Sequence, residues 1–353
     1  MKEQERKLTE YAVISDSNNE EAVRALSRAG EILRAGGTVV FPTETVYGLG
    51  ANALDADAAM RIYAAKGRPS DNPLIVHVAE PSDAASIADT PPLYARLARA
   101  FMPGPLTVIM PVRDNIPRTV TAGLDTVAVR CPAHPVAHAL LLHADVPVAA
   151  PSANLSGSPS PTCFAHVKAD MDTRVDMIID GGACDYGVES TIVKIEEDGS
   201  LLLLRPGAVT LEDLRALGVP VAVAPAVLGE LKAGEKVLSP GLKYRHYAPK
   251  APLYLLDGSF EKKTKFLAEE TGRVAYLAYE EELVASFSEN ITLYNIGPEK
   301  DPVAQAKNLF RLLREADDEN YDAIYAPLPA TEGMGMALYN RMIRAAAHQI
   351  KKL

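Results

Sequence analysis

The sequence predicts an α/β protein built from two domains, the first of which has a mixed central sheet. The main observation is that helix-like and strand-like segments alternate along almost the whole of the 353 residues. A second observation is the stretch from residue 219 to 250, which is rich in Pro, Gly and Ala and interrupts that alternation once. We therefore expect a first domain at residues 15–217, a linker at 218–250 that could act as a lid, and a second domain at 251–353.

The first domain begins with a helix-like segment at residues 20–35, which ends at the strong stop signal Gly36-Gly37. A short β-rich run follows at 38–41, and Pro42 closes it. Further helices are expected at 55–65, 92–101, 135–143, 163–170 and 211–217. Further strands are expected at 74–78, 106–110, 126–130, 146–150, 175–179, 191–195 and 201–204.

The second domain shows the same alternation over about 100 residues. Strands are expected at 253–256, 274–277, 291–293 and 323–326. The longest helices are expected at 303–315 and 336–351.

The composition is that of a globular protein without a general affinity for nucleic acid. Hydrophobic residues make up 48% and charged residues 23%, and the net charge is −10. No global basic field attracts RNA or anionic membranes, so any phosphate site must be local. The charged N-terminus lacks the apolar run of a signal peptide, and no segment has the roughly 18 apolar residues of a membrane span. Cys131, Cys163 and Cys184 are widely spaced and suit reduced thiols, so we expect a cytoplasmic protein.

The most informative stretch is the run from Lys66 to Leu74, Lys-Gly-Arg-Pro-Ser-Asp-Asn-Pro-Leu. Lys66 and Arg68 stand two residues apart on a turn that follows a predicted helix, and two prolines stiffen the exit. Such a turn is suited to hold a nucleotide phosphate tail, although an ordinary surface turn has the same appearance.

Two polar loops are expected to follow strands. In the run 41–50, Thr43 and Thr45 alternate with a carboxylate, and Gly48 and Gly50 permit close approach of the backbone. In the run 149–160, a buried strand leads into small polar residues, as ligand loops do in open α/β sheets. The side chains of Ser152, Asn154 and Ser160 could contact phosphate or ribose there. Both runs are also compatible with ordinary turns.

Three shorter motifs carry further polar groups. They are a hydroxyl pair at the start of a strand in 187–193, a cation at a strand end in 205–207, and an interleaving of cations and aromatics in 239–249. The spacing of Cys131, His134 and His138 is like that of metal ligands, but prolines interrupt the segment and the partner carboxylate is missing. We therefore expect no metal site formed by protein side chains.

Together these motifs resemble the threonylcarbamoyl-AMP synthase family, whose core is the YrdC-type domain. The resemblance rests on matching stretches at 42–49, 66–74, 129–132, 151–157, 189–191 and 205–207, with 239–249, 333–337 and 340–341 matching the longer, two-domain branch. It implies a YrdC-like first domain with a twisted mixed sheet and flanking helices, and a smaller, three-layer, Rossmann-like second domain.

The resemblance also implies a reaction and its residues. L-Threonine, bicarbonate and ATP would give threonylcarbamoyl-AMP and pyrophosphate, for N6-threonylcarbamoyladenosine formation in tRNAs reading codons that begin with A. Lys66 and Arg68 would be catalytic, and Mg²⁺ would be held mainly through the ATP phosphates. The residues expected to bind ATP are Arg68, Asn72, Thr126, Ser152, Asn154, Ser160, Arg205, Arg245 and His246. The residues expected to bind threonine are Thr45, His77, Arg130, Ala150 and Ser190.

Two other classes of function remain open from the residues alone. One is an RNA-binding module without catalysis, against which the acidic composition counts. The other is a hydrogenase-maturation carbamoyltransferase, against which the absence of any Cys-x-x-Cys pair counts. The expected partners are the three substrates and a downstream tRNA threonylcarbamoyltransferase machinery, with tRNA bound at most indirectly and no membrane.

Overall fold

The computed structural model describes residues 8–229 and 247–353. Within residues 8–229, the first domain contains a single mixed sheet of eleven strands, ordered β1-β8-β2-β3-β7-β4-β6-β5-β9-β10-β11. These strands are β1 (Glu10–Val13), β2 (Val39–Phe41), β3 (Gly48–Asn52), β4 (Ile75–His77), β5 (Leu106–Pro111), β6 (Thr126–Arg130), β7 (Val148–Ala149), β8 (Met177–Asp180), β9 (Thr191–Ile195), β10 (Leu201–Arg205) and β11 (Val221–Val223).

Helices cover both faces of this sheet. They are α1 (Glu20–Arg34), α2 (Ala56–Lys66), α3 (Pro92–Phe101), α4 (Arg118–Thr121), α5 (Pro135–Ala144), α6 (Phe164–Met171) and α7 (Leu211–Ala216). Neighbouring residues of β2 point to opposite faces, since Val39 and Phe41 belong to the apolar cluster under α1 and α5 and Val40 belongs to the cluster under α2 and α3. The alternation of elements predicted from the sequence therefore produces a sheet with a core on each side.

Local signals fix the ends of α1 and α2. Asn19 caps α1 by accepting a hydrogen bond from the backbone N–H of Ala22. Asp55 caps α2 in the same way and accepts from two backbone N–H groups. At its other end α2 stops at Gly67, whose φ of 62° is the left-handed conformation that favours glycine. On either side of this stop, Lys66 and Arg68 have different hydrogen-bond partners.

The second domain is a three-layer α/β unit. Its five parallel strands are ordered β14-β13-β15-β12-β16. They are β12 (Leu253–Asp257), β13 (Val274–Tyr279), β14 (Ile291–Gly297), β15 (Ala323–Pro327) and β16 (Ile350–Lys352), and the helices are α8 (Phe260–Ala268), α9 (Pro302–Asp317) and α10 (Met334–Ala345). Two apolar clusters lie on opposite faces of the sheet. The predicted fold class, with a mixed sheet in the first domain and a smaller α/β second domain, is confirmed.

The prediction of a final helix over residues 336–351 is wrong. Helix α10 ends at Ala345, and Ala347 and His348 then adopt positive φ values of 47° and 61°. The chain continues as β16, which pairs in parallel with β12 at the edge of the sheet. Pairing with a strand about 95 residues earlier in the chain is a tertiary interaction that local helical periodicity does not reveal.

The region 218–250 contains ordered structure in its first part. Strand β11 pairs with β10, and the single turn of 3₁₀ helix Pro225–Val227 follows it. The first sheet thus extends to Val223, six residues into the predicted linker, and the predicted domain bounds stay a prediction.

The two domains pack closely against each other. Val46 and Val188 of the first domain are buried in the same apolar cluster as α9 and α10 of the second. At Gly187, a Cβ atom would lie 2.5 Å from the Cα of Lys307, and φ is 73°. This approach therefore requires glycine at position 187.

Candidate active site

A polar pocket lies in the first domain, at the wall that faces the second domain. It has about 610 Å³ of empty space, part of it open to solvent. Its lining residues are Thr43, Val46, Tyr47, Gly48, Arg68, Ile75, His77, Arg130, Ala150, Pro151, Ser152, Asn154, Glu189, Ser190, Arg205 and Tyr247. The pocket thus collects residues from several separate stretches of the chain and is the candidate active site.

Eight residues predicted from the sequence line this pocket. They are Arg68, His77, Arg130, Ala150, Ser152, Asn154, Ser190 and Arg205. The structure therefore brings together residues expected to contact ATP and residues expected to contact threonine. Their individual roles stay predictions.

The other predicted residues lie elsewhere. Lys66, Thr45, Asn72 and Ser160 are buried and do not line the pocket. Thr126 lies at the opposite end of β6 from Arg130, roughly 13 Å away at the usual rise per strand residue, and lines a separate surface depression. Arg245 and His246 fall outside the described residues, as does most of the motif at 239–249.

Lys66 holds the polar loop at 151–160 in place. Its Nζ donates to the backbone oxygen of Ser152, to the backbone oxygen of Asn154 at 2.7 Å and to the amide oxygen of Asn154 at 3.4 Å. Complete burial, followed by the nearby Arg68 charge, lowers the pKa of Lys66. Three oxygen acceptors match the three N–H groups of an ammonium. Lys66 therefore contacts the loop that carries the ligand-facing side chains.

Arg68 follows the end of α2 and lines the pocket. Its Nη2 donates to the backbone oxygens of Asn72 and Pro73, at 3.2 and 3.3 Å. The amide of Asn72 is fully buried, and neither its nitrogen nor its oxygen has a hydrogen-bond partner within the described ranges. Buried amides nearly always have partners, so this side chain is suited to receive one from a ligand or a water molecule.

Arg130 and His77 form the floor of the pocket and are paired across β4 and β6. The Nη2 of Arg130 donates to Oε1 of Glu44 at 2.7 Å, and both side chains are about 5% exposed. Burial raises the pKa of Glu44, but the Arg130 guanidinium outweighs it and holds that pKa below its ordinary value. One end of the Arg130 guanidinium is thus occupied by Glu44, and Nε has no partner among the described residues.

His77 is neutral in this environment. Burial, followed by the charge of Arg130, lowers the pKa of His77 to about 3. Its Nδ1 lies 3.2 Å from the backbone oxygen of Ile75, which can only accept, so the hydrogen-bond network assigns the proton to Nδ1. An uncharged imidazole beside Arg130 leaves the arginine as the local cation.

Ser190 and Arg205 form a second polar group of the pocket. The Nε of Arg205 donates to the backbone oxygen of Ser190 at 2.9 Å, and its Nη2 donates to Ser190 Oγ at 3.2 Å. Ser190 Oγ also lies 2.8 Å from Oγ1 of Thr107. These bonds hold a buried cation and a hydroxyl side by side.

Glu189 and Tyr247 are pocket residues to which the sequence assigned no role. Both stood within motifs singled out above, and the signal that could have identified Glu189 is a carboxylate placed directly before a predicted ligand hydroxyl. Tyr247 stacks on Phe310 of the second domain, with ring centroids 5.1 Å apart. The second domain thus supports one wall of the pocket.

The residues with metal-like spacing have separate partners. The Sγ of Cys131 donates to the backbone oxygen of Ala79, His134 caps α5, and His138 lies 3.2 Å from Glu80. Residues 8–229 and 247–353 contain no group of three His, Cys, Asp or Glu side chains that could hold a metal ion. Within the same ranges, no helix is both long and apolar enough to cross a membrane.

Family models match the two domains in order. The Sua5–YciO–YrdC model, described as telomere recombination, matches residues 31–207. The model for the C-terminal domain of threonylcarbamoyl-AMP synthase matches residues 209–347. Together they span both predicted domains.

Individual relatives match over nearly the full length. A threonylcarbamoyl-AMP synthase of Bacillus subtilis is 43% identical over 329 residues, which is 92% of this chain and 94% of that protein. One of Pyrococcus abyssi is 41% identical over 327 residues, covering 92% and 95%. A crystal structure of P. abyssi Sua5 complexed with L-threonine superposes with a TM-score of 0.88 at 38% identity, covering 98% of this chain and all of that one.

The fold and the pocket define a two-domain protein of the YrdC type. The chain belongs to the threonylcarbamoyl-AMP synthase family, in the branch that carries the C-terminal domain. The family predicted from the sequence motifs is confirmed.

Proposed function

We propose that this pocket joins L-threonine, bicarbonate and ATP into L-threonylcarbamoyl-AMP and releases pyrophosphate. Membership of the family makes the chain a nucleotidyltransferase-type enzyme that synthesises threonylcarbamoyl-AMP for tRNA modification, as the motifs predicted. We propose, beyond this, that bicarbonate is the carbon donor, that Mg²⁺ is the metal ion, and that individual residues make the substrate contacts described below.

The observation that carries the proposal is the charge of the pocket. Among the described residues, three arginines, Arg68, Arg130 and Arg205, line it together with one carboxylate, Glu189, which is already paired with Arg341. The pocket is therefore locally positive although the chain carries a net charge of −10. A triphosphate and an amino-acid carboxylate are ligands that such a site attracts.

Threonine is proposed to lie on the floor formed by Arg130 and His77. The free donors of Arg130 would hold its carboxylate, and the neighbouring Ser190 hydroxyl and the imidazole of His77 would contact its hydroxyl and amine. Ala150 also lines the pocket and would limit the space for the side chain. The P. abyssi Sua5 protein binds L-threonine in its crystal structure, which is consistent with a threonine site in this chain.

ATP is proposed to lie between Arg68, Arg205 and the loop that carries Ser152 and Asn154. Glu189, the one carboxylate among the described lining residues, is engaged by an arginine, so these residues offer few oxygen ligands to a cation. Mg²⁺ fits here as an ion carried in on the phosphates, where it would neutralise charge on the transferred group. The protein side chains would then supply the positive charge that Mg²⁺ does not.

The proposed chemistry has two balanced steps. The threonine amine condenses with bicarbonate to a carbamate, and water leaves. A carbamate oxygen then attacks the α-phosphorus of ATP, the bond from that phosphorus to the bridging oxygen breaks, and pyrophosphate departs. Negative charge builds up in this step, and fixed arginines stabilise it without covalent catalysis. The product would pass to a tRNA threonylcarbamoyltransferase machinery in the cytoplasm.

The test is pyrophosphate release with each of the twenty amino acids, with and without bicarbonate. Release should require threonine, bicarbonate and ATP together. Arg205→Met should lose most of it, whereas Arg113→Met, which removes an arginine from an exposed pair with Asp89 far from the pocket, should not. Release that is independent of bicarbonate, or equal for several amino acids, would overturn the proposal.

A further inference from the structure

Glu189 receives its main partner from the other domain. The Nε of Arg341, in α10, donates to Glu189 Oε2 at 2.7 Å, and its Nη2 donates to the backbone oxygen of Glu189 at 3.3 Å. Arg341 has no exposed surface, and Glu189 is 6% exposed. A pair this deeply buried contributes little net stability, but loss of one partner leaves an uncompensated charge.

The rest of the Arg341 environment fixes its position. Its Nη1 donates to the amide oxygen of Asn340, and Asn340 donates in turn to the backbone oxygen of Val227. The ring of Tyr247 lies 5.8 Å from the guanidinium carbon. The Arg341 guanidinium is therefore fixed behind the pocket wall that Glu189 and Tyr247 form.

Glu189 connects this arginine to groups that face the ligands. Its Oε1 accepts a hydrogen bond from Ser160, and the next residue, Ser190, carries the bonds that hold Arg205. The hydrogen bonds of Arg205 go to Ser190, whereas the Glu189 carboxylate accepts from Arg341. Burial raises the pKa of Glu189, but Arg341 and then Arg205 outweigh it and hold that pKa below its ordinary value.

We infer that Arg341 is a positioning residue of the active site, through which the C-terminal domain keeps Glu189 occupied and so leaves Arg205 available to the nucleotide. This inference rests on the proposed function, because it takes the ligand of Arg205 to be ATP. It assigns the C-terminal domain a direct part in assembling the pocket.

Removal of Arg341 has a specific consequence in this arrangement. Among the residues that the structure describes, the buried Glu189 carboxylate would keep only Ser160 and would turn to Arg205. That new pair would draw Arg205 away from Ser190 and cancel a charge that the phosphates need. The damage therefore comes from an unpaired carboxylate, and removing that carboxylate as well should repair it.

The experiment compares Arg341→Met, Glu189→Gln and the double variant in the full-length chain. We expect Arg341→Met to raise the KM for ATP at least tenfold. The double variant should have a KM at least tenfold lower than that of Arg341→Met, a difference of about 1.4 kcal/mol. A merely structural role predicts losses that add, or a double variant worse than either single one. The matched control is Arg344→Met on the same helix, whose hydrogen bond goes to the backbone oxygen of Ala226 and not to Glu189, so the variant should keep a KM for ATP well below that of Arg341→Met.

ATP affinity measured by calorimetry separates this inference from the proposed function. If the wild-type chain makes no threonylcarbamoyl-AMP, the proposed function fails, while the affinities for ATP still report on Arg341. Thermal unfolding checks the fold of each variant. A folded double variant as weak for ATP as Arg341→Met would overturn the inference, and so would insolubility of both variants, since that would make Arg341 a residue of the fold.

Discussion

Replacement of Arg130 by lysine should separate threonine binding from ATP binding. In the structure one guanidinium nitrogen of Arg130 is committed to Glu44 at 2.7 Å, which leaves the rest of the fork for a substrate carboxylate. A lysine presents a single ammonium and cannot face Glu44 and a carboxylate in the same planar arrangement. The ion pair with Glu44 should persist in the lysine variant, so the hydrogen bonds that are lost should be those to the substrate carboxylate.

The size of that loss follows from the bonds removed. Hydrogen bonds to charged groups contribute roughly 1.5–3 kcal/mol each, so losing one of them should raise the threonine dissociation constant by about 10- to 150-fold. The ATP dissociation constant should change less than twofold, because Arg68 and Arg205 remain. Both constants are measurable by calorimetry, with KM values from pyrophosphate release as a second readout.

Arg113→Lys is the control for this prediction. Arg113 pairs with Asp89 at 3.2 Å on the surface, where the two side chains are 50% and 69% exposed, and such pairs contribute little. It should leave both dissociation constants unchanged. An Arg130→Lys protein that binds threonine as tightly as the wild type would refute the assignment of Arg130 to the carboxylate.

The other predictions concern Arg68, the choice of substrate, Lys66 and His77. Arg68→Ala should lower turnover at limiting ATP by on the order of 10²-fold, as loss of a positioned charge does, and full activity would remove Arg68 from the site. Valine should be used roughly 10⁴-fold less well than threonine in pyrophosphate release, since a site that hydrogen-bonds a hydroxyl rejects the analogue lacking it, and equal use would disprove a hydroxyl contact. Lys66→Met should speed hydrogen exchange in the loop at 151–160, whose oxygens it binds, and unchanged exchange would contradict that anchoring role. The pKa of His77 is about 3 in the fold, against an ordinary value of 6.5. The buried neutral imidazole therefore contributes stability that is fully present above pH 6.5 and is lost as the pH falls. The free energy of unfolding should decrease by about 2 kcal/mol by pH 5 for this reason. His77→Gln should remove that part of the acid sensitivity in urea titrations at pH 7.5 and 5, and an unchanged pH dependence would show that the imidazole protonates in the folded state.

Most of the fold follows from local sequence signals. Helix α3 and strands β6 and β9 have the bounds that periodicity predicts, because each combines an apolar pattern with clear end signals. Strand β3 was not predicted as a strand, since its sequence Gly-Leu-Gly-Ala-Asn has little β propensity and its pairing with β2 and β7 holds it extended. Strand β16, Ile-Lys-Lys, also has little β propensity and is held extended by its pairing with β12.

The candidate site was predictable where polar residues follow strands or helix ends. Arg68 and Arg205 were identified that way and Arg130 through the family resemblance, and all three line the pocket. Thr126 was included because it shares a strand with Arg130, but the strand carries it to the other end of the sheet. The role proposed for Arg341 depends on how two domains pack, and no local pattern near residue 341 indicates that contact.

Direct detection of the product tests the central claim most directly. The full-length chain would be incubated with ATP, Mg²⁺, threonine and ¹³C-bicarbonate, and the nucleotide products would be separated and weighed by mass spectrometry. The proposed reaction predicts threonylcarbamoyl-AMP that carries one ¹³C atom, formed in equal amount with pyrophosphate and absent when threonine is left out. Pyrophosphate formed with AMP or an unlabelled threonyl-AMP, and no labelled carbamoyl product, would contradict it.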